Sequence, residues 1–182
     1  MVRLICLNMS LKKIYKKGFS ELTNQEIYDM LDLRYTVFLM EQKIFYVDTD
    51  YKDQKCMHYF IKNKEDKIIS YLRILPQGLK YEEFSVGRVV TDQAYRKRGL
   101  ATLLMETAKN DLHGNAIRIS GQAYLKDYYE KLDFKTVEGP YIEEGILHYE
   151  MLCDNQWYAT YTLNLAYMLF FLISVAISND LL

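Results

Sequence analysis

The chain has 182 residues, half of them apolar, which is enough for one domain with a core of its own. Its formal charge of −1 excludes a strongly basic nucleic-acid-binding or polyanion-binding chain, so Lys12-Lys13 and Lys16-Lys17 read as solvated surface. Cys6, Cys56 and Cys153 stand far apart with no C-x-x-C pair; neither a disulfide framework nor a metal site is expected, and the compartment implied is reducing and cytoplasmic.

In chain order, residues 1–8 hold a short apolar run with lysines after it rather than before it. They read as an N-terminal extension and not as a signal peptide, with Met9 as an alternative start. Residues 12–19 predict a strand. Thr23 and Glu26 form a capping box: the Thr side chain accepts from the third helical amide, and the Glu reaches back. A helix over 24–40 follows, with Ile27, Leu31, Tyr35 and Phe38 on one face. An acidic loop at 46–53 leads to strands at 56–61 and 68–75, joined by a polar turn at 63–66. A strand at 84–90 precedes a basic loop and a helix over 100–112, whose apolar stripe is Leu103, Leu104, Ala108 and Leu112 and which His113-Gly114 ends. A strand at 116–120, a helix at 123–132 and strands at 134–137 and 146–152 complete the domain, with turns at Gly139-Pro140 and 143–145. The order β-α-β-β-β-α-β-α-β-β predicts an α/β (α+β) fold: a mixed sheet with helices on its faces.

Between the strand at 84–90 and the helix at 100 the chain reads Arg96, Lys97, Arg98, Gly99, Leu100, Ala101. Free amides at a helix start favour an anion placed beyond them. Gly99 has no Cβ and lets a pyrophosphate approach the backbone, Ala101 is small, and three cations add charge. The same pattern also describes an ordinary solvated helix start, and the surrounding sequence decides between the two.

That surrounding sequence carries a resemblance. Arg96-x-x-Gly99-x-Ala101 resembles the acetyl-CoA pyrophosphate motif of the GNAT acetyltransferases. The run 123–134, from Ala123 through Tyr129 to Phe134, resembles the family's A-x-x-x-Y-x-x-x-G-F ending. The ElaA-like branch is matched more closely. Val37 to Gln42 (VFLMEQ), Tyr46 to Asp53 (YVDTDYKD), Arg73 to Pro76 (RILP), Gly87 to Val90 (GRVV), Gly121 to Ala123 (GQA) and Glu143 to His148 (EEGILH) all resemble its motifs, in order, from about residue 9 to 152. Two positions depart. Asp133 stands where the family has glycine, so that turn must suit an aspartate, and Leu147 stands where it has proline.

The resemblance implies a GNAT fold over 9–153, with a sheet of about six to seven strands splayed between the fourth and the fifth. It implies an N-acetyltransferase that moves an acetyl group from acetyl-CoA, its co-substrate, to a primary amine of a small molecule or peptide by direct attack, with no acyl-enzyme and no metal. Val89, Val90 and Thr91 would pair with the pantetheine. Arg96, Lys97, Arg98, Gly99, Leu100 and Ala101 would hold the pyrophosphate, and Gln122 joins the cofactor residues.

Three chemical needs follow. The amine must be neutral, and an alkylammonium roughly three pKa units above neutrality costs roughly 4–5 kcal/mol to deprotonate at pH 7. His148 is the candidate base, with Glu144 second; a structural histidine and a surface turn are the competing readings. The thiolate needs a proton, and Tyr129 matches the family's general-acid tyrosine, against a reading as packed aromatic. Tyr128 is turned by about 100° from it, so both cannot face one site. The carbonyl oxygen needs a donor, and a backbone amide near Val89 supplies one. Asp48, Asp50 and Asp53 either attract a cationic amine or form a solvated loop that caps its own turns. His58 is expected to pack or hydrogen-bond locally.

Residues 157–177 carry no charge and are long enough to span a bilayer, although Tyr158, Thr160, Tyr161, Thr162 and Asn164 weaken the first half as a lipid-facing surface. A membrane anchor, a helix packed on the domain or on a homodimer partner, and an out-of-frame extension remain open for the tail of 154–182. Two other functions remain open as well: a non-catalytic acyl-CoA-binding module, and a tail-anchored interaction protein.

Overall fold

The computed structural model describes residues 13–155. The expected extension at 1–8 and the apolar stretch 157–177 lie outside them. No helix among the described residues is long and apolar enough to cross a membrane.

The first strand, β1 (Ile14–Gly18), leads through a short turn to α1 (Asn24–Tyr35). Thr23 Oγ1 accepts from the Glu26 amide at 3.1 Å, and Glu26 accepts from the Thr23 amide at 2.9 Å, closing the expected capping box. The Glu26 carboxylate is buried, with Lys17 at 2.8 Å and Lys62 at 3.2 Å. The predicted continuous helix to residue 40 changes its winding after Tyr35 and continues as a π-helical turn, Thr36–Glu41. The buried face is Met30, Leu33 and Val37, while Tyr35, expected on the apolar stripe, is 54 % exposed. Two residues past Leu33 means about 200° of helical rotation, which turns Tyr35 outward.

The middle of the sheet is β2 (Met57–Lys62), β3 (Ile68–Leu75) and β4 (Phe84–Thr91), followed by α2 (Leu100–Asp111) and β5 (Ile117–Gln122). After a 3-10 turn come α3 (Lys126–Glu130), β6 (Lys135–Glu143) and β7 (Ile146–Cys153). The seven strands lie in the order β1-β2-β3-β4-β5-β7-β6, antiparallel except for β4 and β5. Every residue of β3 is buried, because helices cover both faces of the sheet. Leu33 and Val37 pack with Phe60, Tyr71 and Val90 on one face; Leu104, Met105 and Ala108 pack with Leu72, Ile117 and Met151 on the other.

Two departures from regular pairing shape the site. Arg88 and Val89 together face Leu72, since Tyr71 pairs with Val90 but Arg73 with Gly87. This bulge puts Arg88 at φ 55 and re-aims the strand. The parallel ladder between β4 and β5 consists of two pairs, Phe84 with Ile117 and Ser85 with Arg118. Further along, the two strands line opposite sides of a cavity, an arrangement consistent with the expected splay.

The strand predicted at 134–137 in fact runs to Glu143, and Gly139-Pro140 lies inside it rather than in a turn. Register shifts on both sides of Glu138 absorb the two residues. β6 is the outermost strand, where the missing proline N–H need not break an interior ladder. Asp133 adopts φ 67 and holds Lys109 Nζ at 2.9 Å, so the aspartate fits the turn where the family carries glycine. Asn155 is buried, and its side-chain amide donates to the carbonyls of Lys109 (2.8 Å) and Leu112 (2.9 Å), closing the end of α2.

Candidate active site

A cleft of about 350 Å³ opens where β4 and β5 part. Residues 86–89 of β4 form one wall, and Ile119, Ser120 and Gln122 of β5 the other. Tyr129 of α3 lines it, as do Glu143, Glu144 and His148 of the β6–β7 hairpin. The segment after α1 closes it with Gln42, Tyr46 and Val47. The two expected catalytic side chains, from elements 19 positions apart in sequence, therefore share one cavity.

Tyr129, and not Tyr128, faces the cleft, as the rotation between neighbours on a helix requires. Its ring packs edge-on against Tyr128 and Phe134, and a Cβ on Gly121 would come within 3.0 Å of it. Gly121 thus makes room for the ring. Burial first, then the neighbouring phenols of Tyr128 and Tyr124, raise the Tyr129 pKa above its ordinary 10, so the phenol keeps its proton at neutral pH.

His148 is buried, stacks on Tyr141, and places Nδ1 2.8 Å from the Ile146 carbonyl. A carbonyl can only accept, so Nδ1 carries the hydrogen and Nε2 of the neutral ring is a proton acceptor. The local hydrogen bond of the structural reading thus also fixes the tautomer that a base needs. Glu144 sits in the hairpin turn at φ 50, exposed yet at the cleft wall.

Of the expected cofactor residues, Val89 and Gln122 line the cleft. Val90 turns into the core beneath α1, and the Thr91 hydroxyl meets Ser70 at 2.9 Å, so the Val90 side chain is turned away from a ligand and the Thr91 hydroxyl is already engaged. Residues 96–99 are exposed, while the Leu100 side chain enters the core. The loop lies outside the cavity wall. Arg96 ties it to the rim by donating to the Thr91 carbonyl at 2.9 Å and pairing with Glu41, next to Gln42. Arg98 donates to the Ala94 carbonyl and lies over the Tyr95 ring. Gly99 caps α2 at φ 74 with no side-chain cap, and a Cβ there would meet nothing within 4 Å. Open space before a helix start with bare amides fits a phosphate-bearing ligand. Gln122 donates to Gln42 at 3.1 Å and accepts from Tyr124 at 2.7 Å, so its amide spans the cleft mouth.

The acidic loop is corrected on both readings. Asp48, Asp50 and Asp53 neither cap turns in solvent alone nor present net negative charge. Arg34 binds Asp48 at 2.7 Å and Asp53 at 2.9 Å; Arg73 binds Asp50 and Asp53, each at 2.7 Å; Arg88 meets Asp48 at 2.6 Å. Three guanidinium groups balance three carboxylates. Burial alone would raise Asp50 and Asp53; Arg73 and Arg34 overcome it and hold both below the ordinary carboxylate range. His58, as expected, is local. Its Nε2–H donates to the Asp53 carbonyl at 3.0 Å, the Tyr71 hydroxyl donates to Nδ1 at 2.7 Å, and burial keeps the ring neutral by lowering its pKa.

Sequence reasoning passed over Glu143, Ser120 and Tyr141. Ser120 Oγ donates to Glu143, and the Tyr141 hydroxyl meets Ser120 at 2.7 Å. Strand alternation through 141–143 would have pointed Tyr141 and Glu143 to one face; ending the strand at 137 hid that signal.

Comparisons with known proteins bear on the family and the fold. The Acetyltransferase (GNAT) domain family matches residues 21–154. A UPF0039 protein of Schizosaccharomyces pombe is 35 % identical over 79 % of this chain and 97 % of its own length. Protein ElaA of Escherichia coli is 32 % identical over 72 % of this chain and 90 % of its own. An acyl-CoA N-acyltransferase from Pseudomonas aeruginosa superposes with a TM-score of 0.74 at 31 % identity, covering 79 % of this chain and 99 % of that one. The crystal structure of Escherichia coli ElaA gives a TM-score of 0.72 at 28 % identity, with the same coverage. With its mixed seven-stranded sheet, its parallel β4–β5 pair and these relatives, the chain belongs to the GNAT acetyltransferase family, among the homologues of ElaA and the UPF0039 proteins.

Proposed function

We propose that the protein transfers an acetyl group from acetyl-CoA to the primary amine of a small molecule or peptide by direct attack. The observation that carries this reading is the meeting of a protonated tyrosine, Tyr129, and a histidine with an accepting Nε2, His148, in one cleft beside the β4 bulge. The amides at the start of α2 would take the pyrophosphate, with Gly99 leaving them accessible. The bulged backbone near Val89 would offer its amide to the carbonyl oxygen as negative charge develops.

His148 Nε2 accepts the amine proton, directly or through a water, and the nitrogen attacks the thioester carbon. The C–S bond breaks as the N–C bond forms. Tyr129 donates a hydrogen bond to the sulfur as it becomes a thiolate. Its raised pKa keeps the phenol protonated for that role, and the second proton that the nitrogen sheds, after the one taken by His148, ends on the sulfur. No side chain is acylated.

The test is acetyl-CoA consumption over a panel of amines and peptides, with Tyr129→Phe beside the wild type. Turnover that the substitution slows is the expected result. Unchanged turnover removes Tyr129 from the mechanism, and coenzyme A binding without turnover on any amine favours a non-catalytic acyl-CoA-binding module.

A further inference from the structure

At the end of the cleft away from α2, Glu143 of β6 faces Lys80 of the loop 76–83. Lys80 Nζ lies 3.7 Å from Glu143 Oε1, too far for a hydrogen bond. The other Glu143 oxygen accepts from Ser120 Oγ; that hydroxyl has spent its one hydrogen, so the Tyr141 hydroxyl donates to Ser120 in turn. Glu143 is thereby aimed and held ionised: burial opposes the charge, but Ser120 and Lys80 outweigh it and lower the pKa. It differs from the three aspartates of the loop in carrying no guanidinium. Lys80 stands in the opposite condition. Lys80 is an exposed residue at the cleft; partial desolvation by the concave wall lowers its pKa, Glu143 and Glu150 offset this only in part, and the nearby cations of Arg88 and Lys52 add to the lowering. Both of those residues line the same cleft. Arg88 is already matched by Asp48, so Lys80 and Lys52 are the cations left to attract an anion. One carboxylate and one ammonium, each partly open to solvent and joined by no direct hydrogen bond, therefore stand 3.7 Å apart within the cavity that also holds His148 and Tyr129.

We propose that the acceptor is a zwitterion, a free α-amino acid, which enters between Lys80 and Glu143 and exchanges their long contact for two direct ones, its carboxylate on Lys80 and its ammonium on Glu143. At 3.7 Å Lys80 and Glu143 already touch, so the flexible Lys80 side chain swings aside to admit the acid, whose two charges sit on one carbon and its neighbour. Held this way, the nitrogen lies next to His148. The ammonium passes one proton to His148 Nε2, its lone pair attacks the thioester carbon, the C–S bond breaks as the N–C bond forms, and the departing sulfur takes up the second proton that the nitrogen sheds. The product is an N-acetylamino acid. It has lost its positive charge and with it the attraction to Glu143, which favours release. This inference rests on the acetyltransferase reading and adds the acceptor's chemical class to it.

The experiment compares initial rates of acetyl transfer by the full chain to the common L-amino acids and to their α-carboxamides, with coenzyme A binding followed by calorimetry. The amide's amine lacks the neighbouring carboxylate and is less basic, so more of it is neutral; the comparison is biased against the proposal. At least one free acid is expected to exceed its own amide in kcat/KM by about tenfold or more, the scale of one well-placed charged hydrogen bond. In Lys80→Gln that preference falls to within about twofold while coenzyme A still binds, which shows that the variant is folded; Lys80→Arg retains the preference. Amides as good as acids, a preference that survives Lys80→Gln, or no transfer to any acid by a protein that binds coenzyme A would each overturn the proposal. Failure to bind coenzyme A would overturn the acetyltransferase reading beneath it.

Discussion

Tyr129 is held by packing on three sides, so its ring would keep its place without the hydroxyl. Tyr129→Phe is therefore expected to lower kcat by about a hundredfold, the scale of one lost hydrogen-bond donor to developing charge, while coenzyme A affinity stays within about twofold. Steady-state kinetics and calorimetry read the two separately, and a matching loss in both would point to a disturbed fold instead. Glu26 makes a prediction of another kind. In the folded chain burial resists its charge, but Lys17 and the Thr23 amide hold its pKa at about 2, against an ordinary 4.5. A depressed carboxylate stabilises the fold fully above pH 4.5 and loses that contribution as pH falls towards 2. The urea midpoint of the wild type is expected to exceed that of Glu26→Gln at neutral pH, and the gap to close between pH 4.5 and 2. At this scale the sequence showed residue types and spacings. Tyr129 was singled out by the resemblance, and the regular rotation of a helix then excluded Tyr128 from the same site. Glu143 could not be found, because its direction depends on a strand that continues through Gly139-Pro140.

The elements around the cleft differ in how they are held. The start of α2 rests on the geometry of a single residue. Gly99→Glu brings a side chain into the left-handed region, at roughly 1–2 kcal/mol, and sets negative charge where the phosphates would lie; coenzyme A affinity is expected to fall by at least about tenfold. Gly99→Asn, which tolerates that backbone, is expected to stay within about threefold. Binding measured by calorimetry decides, and equal affinity for all three proteins would remove the loop from the cofactor site. The segment after α1 is held by ion pairs instead. Asp53 is shared by Arg34 and Arg73, both almost wholly buried, so Asp53→Ala leaves Arg34 to Asp48 and Arg73 to Asp50 with one buried positive charge in excess, and is expected to destabilise the protein by about 3–5 kcal/mol in urea unfolding. That network was not legible in the sequence. Its partners are separated by 14 to 40 residues, and nothing in a local pattern pairs Arg34 with Asp48 or Arg88 with Asp48. The capping box was legible, because both of its partners lie within one turn.

For the whole molecule, the order of strands and helices was readable because each element carries its own period and its own stops. The sheet order, with β7 between β5 and β6, is set by tertiary packing and was not legible in the sequence. The described fold ends on Asn155, whose amide closes α2, so a truncation that spares the domain must keep that residue. The two-pair ladder between β4 and β5 has a consequence for motion. Strands β1 to β4 and strands β5 to β7 are two hydrogen-bonded leaves fastened at one corner, and α2 with the apolar core beneath it serves as their shared spine. A thread-like thioester laid along the open seam would supply the missing rungs and stop the leaves from fanning. Amide exchange along the seam-facing edges of β4 and β5 is then expected to slow more on coenzyme A binding than exchange in β2 and β3, whereas equal slowing throughout would mean that the leaves already move as one plate.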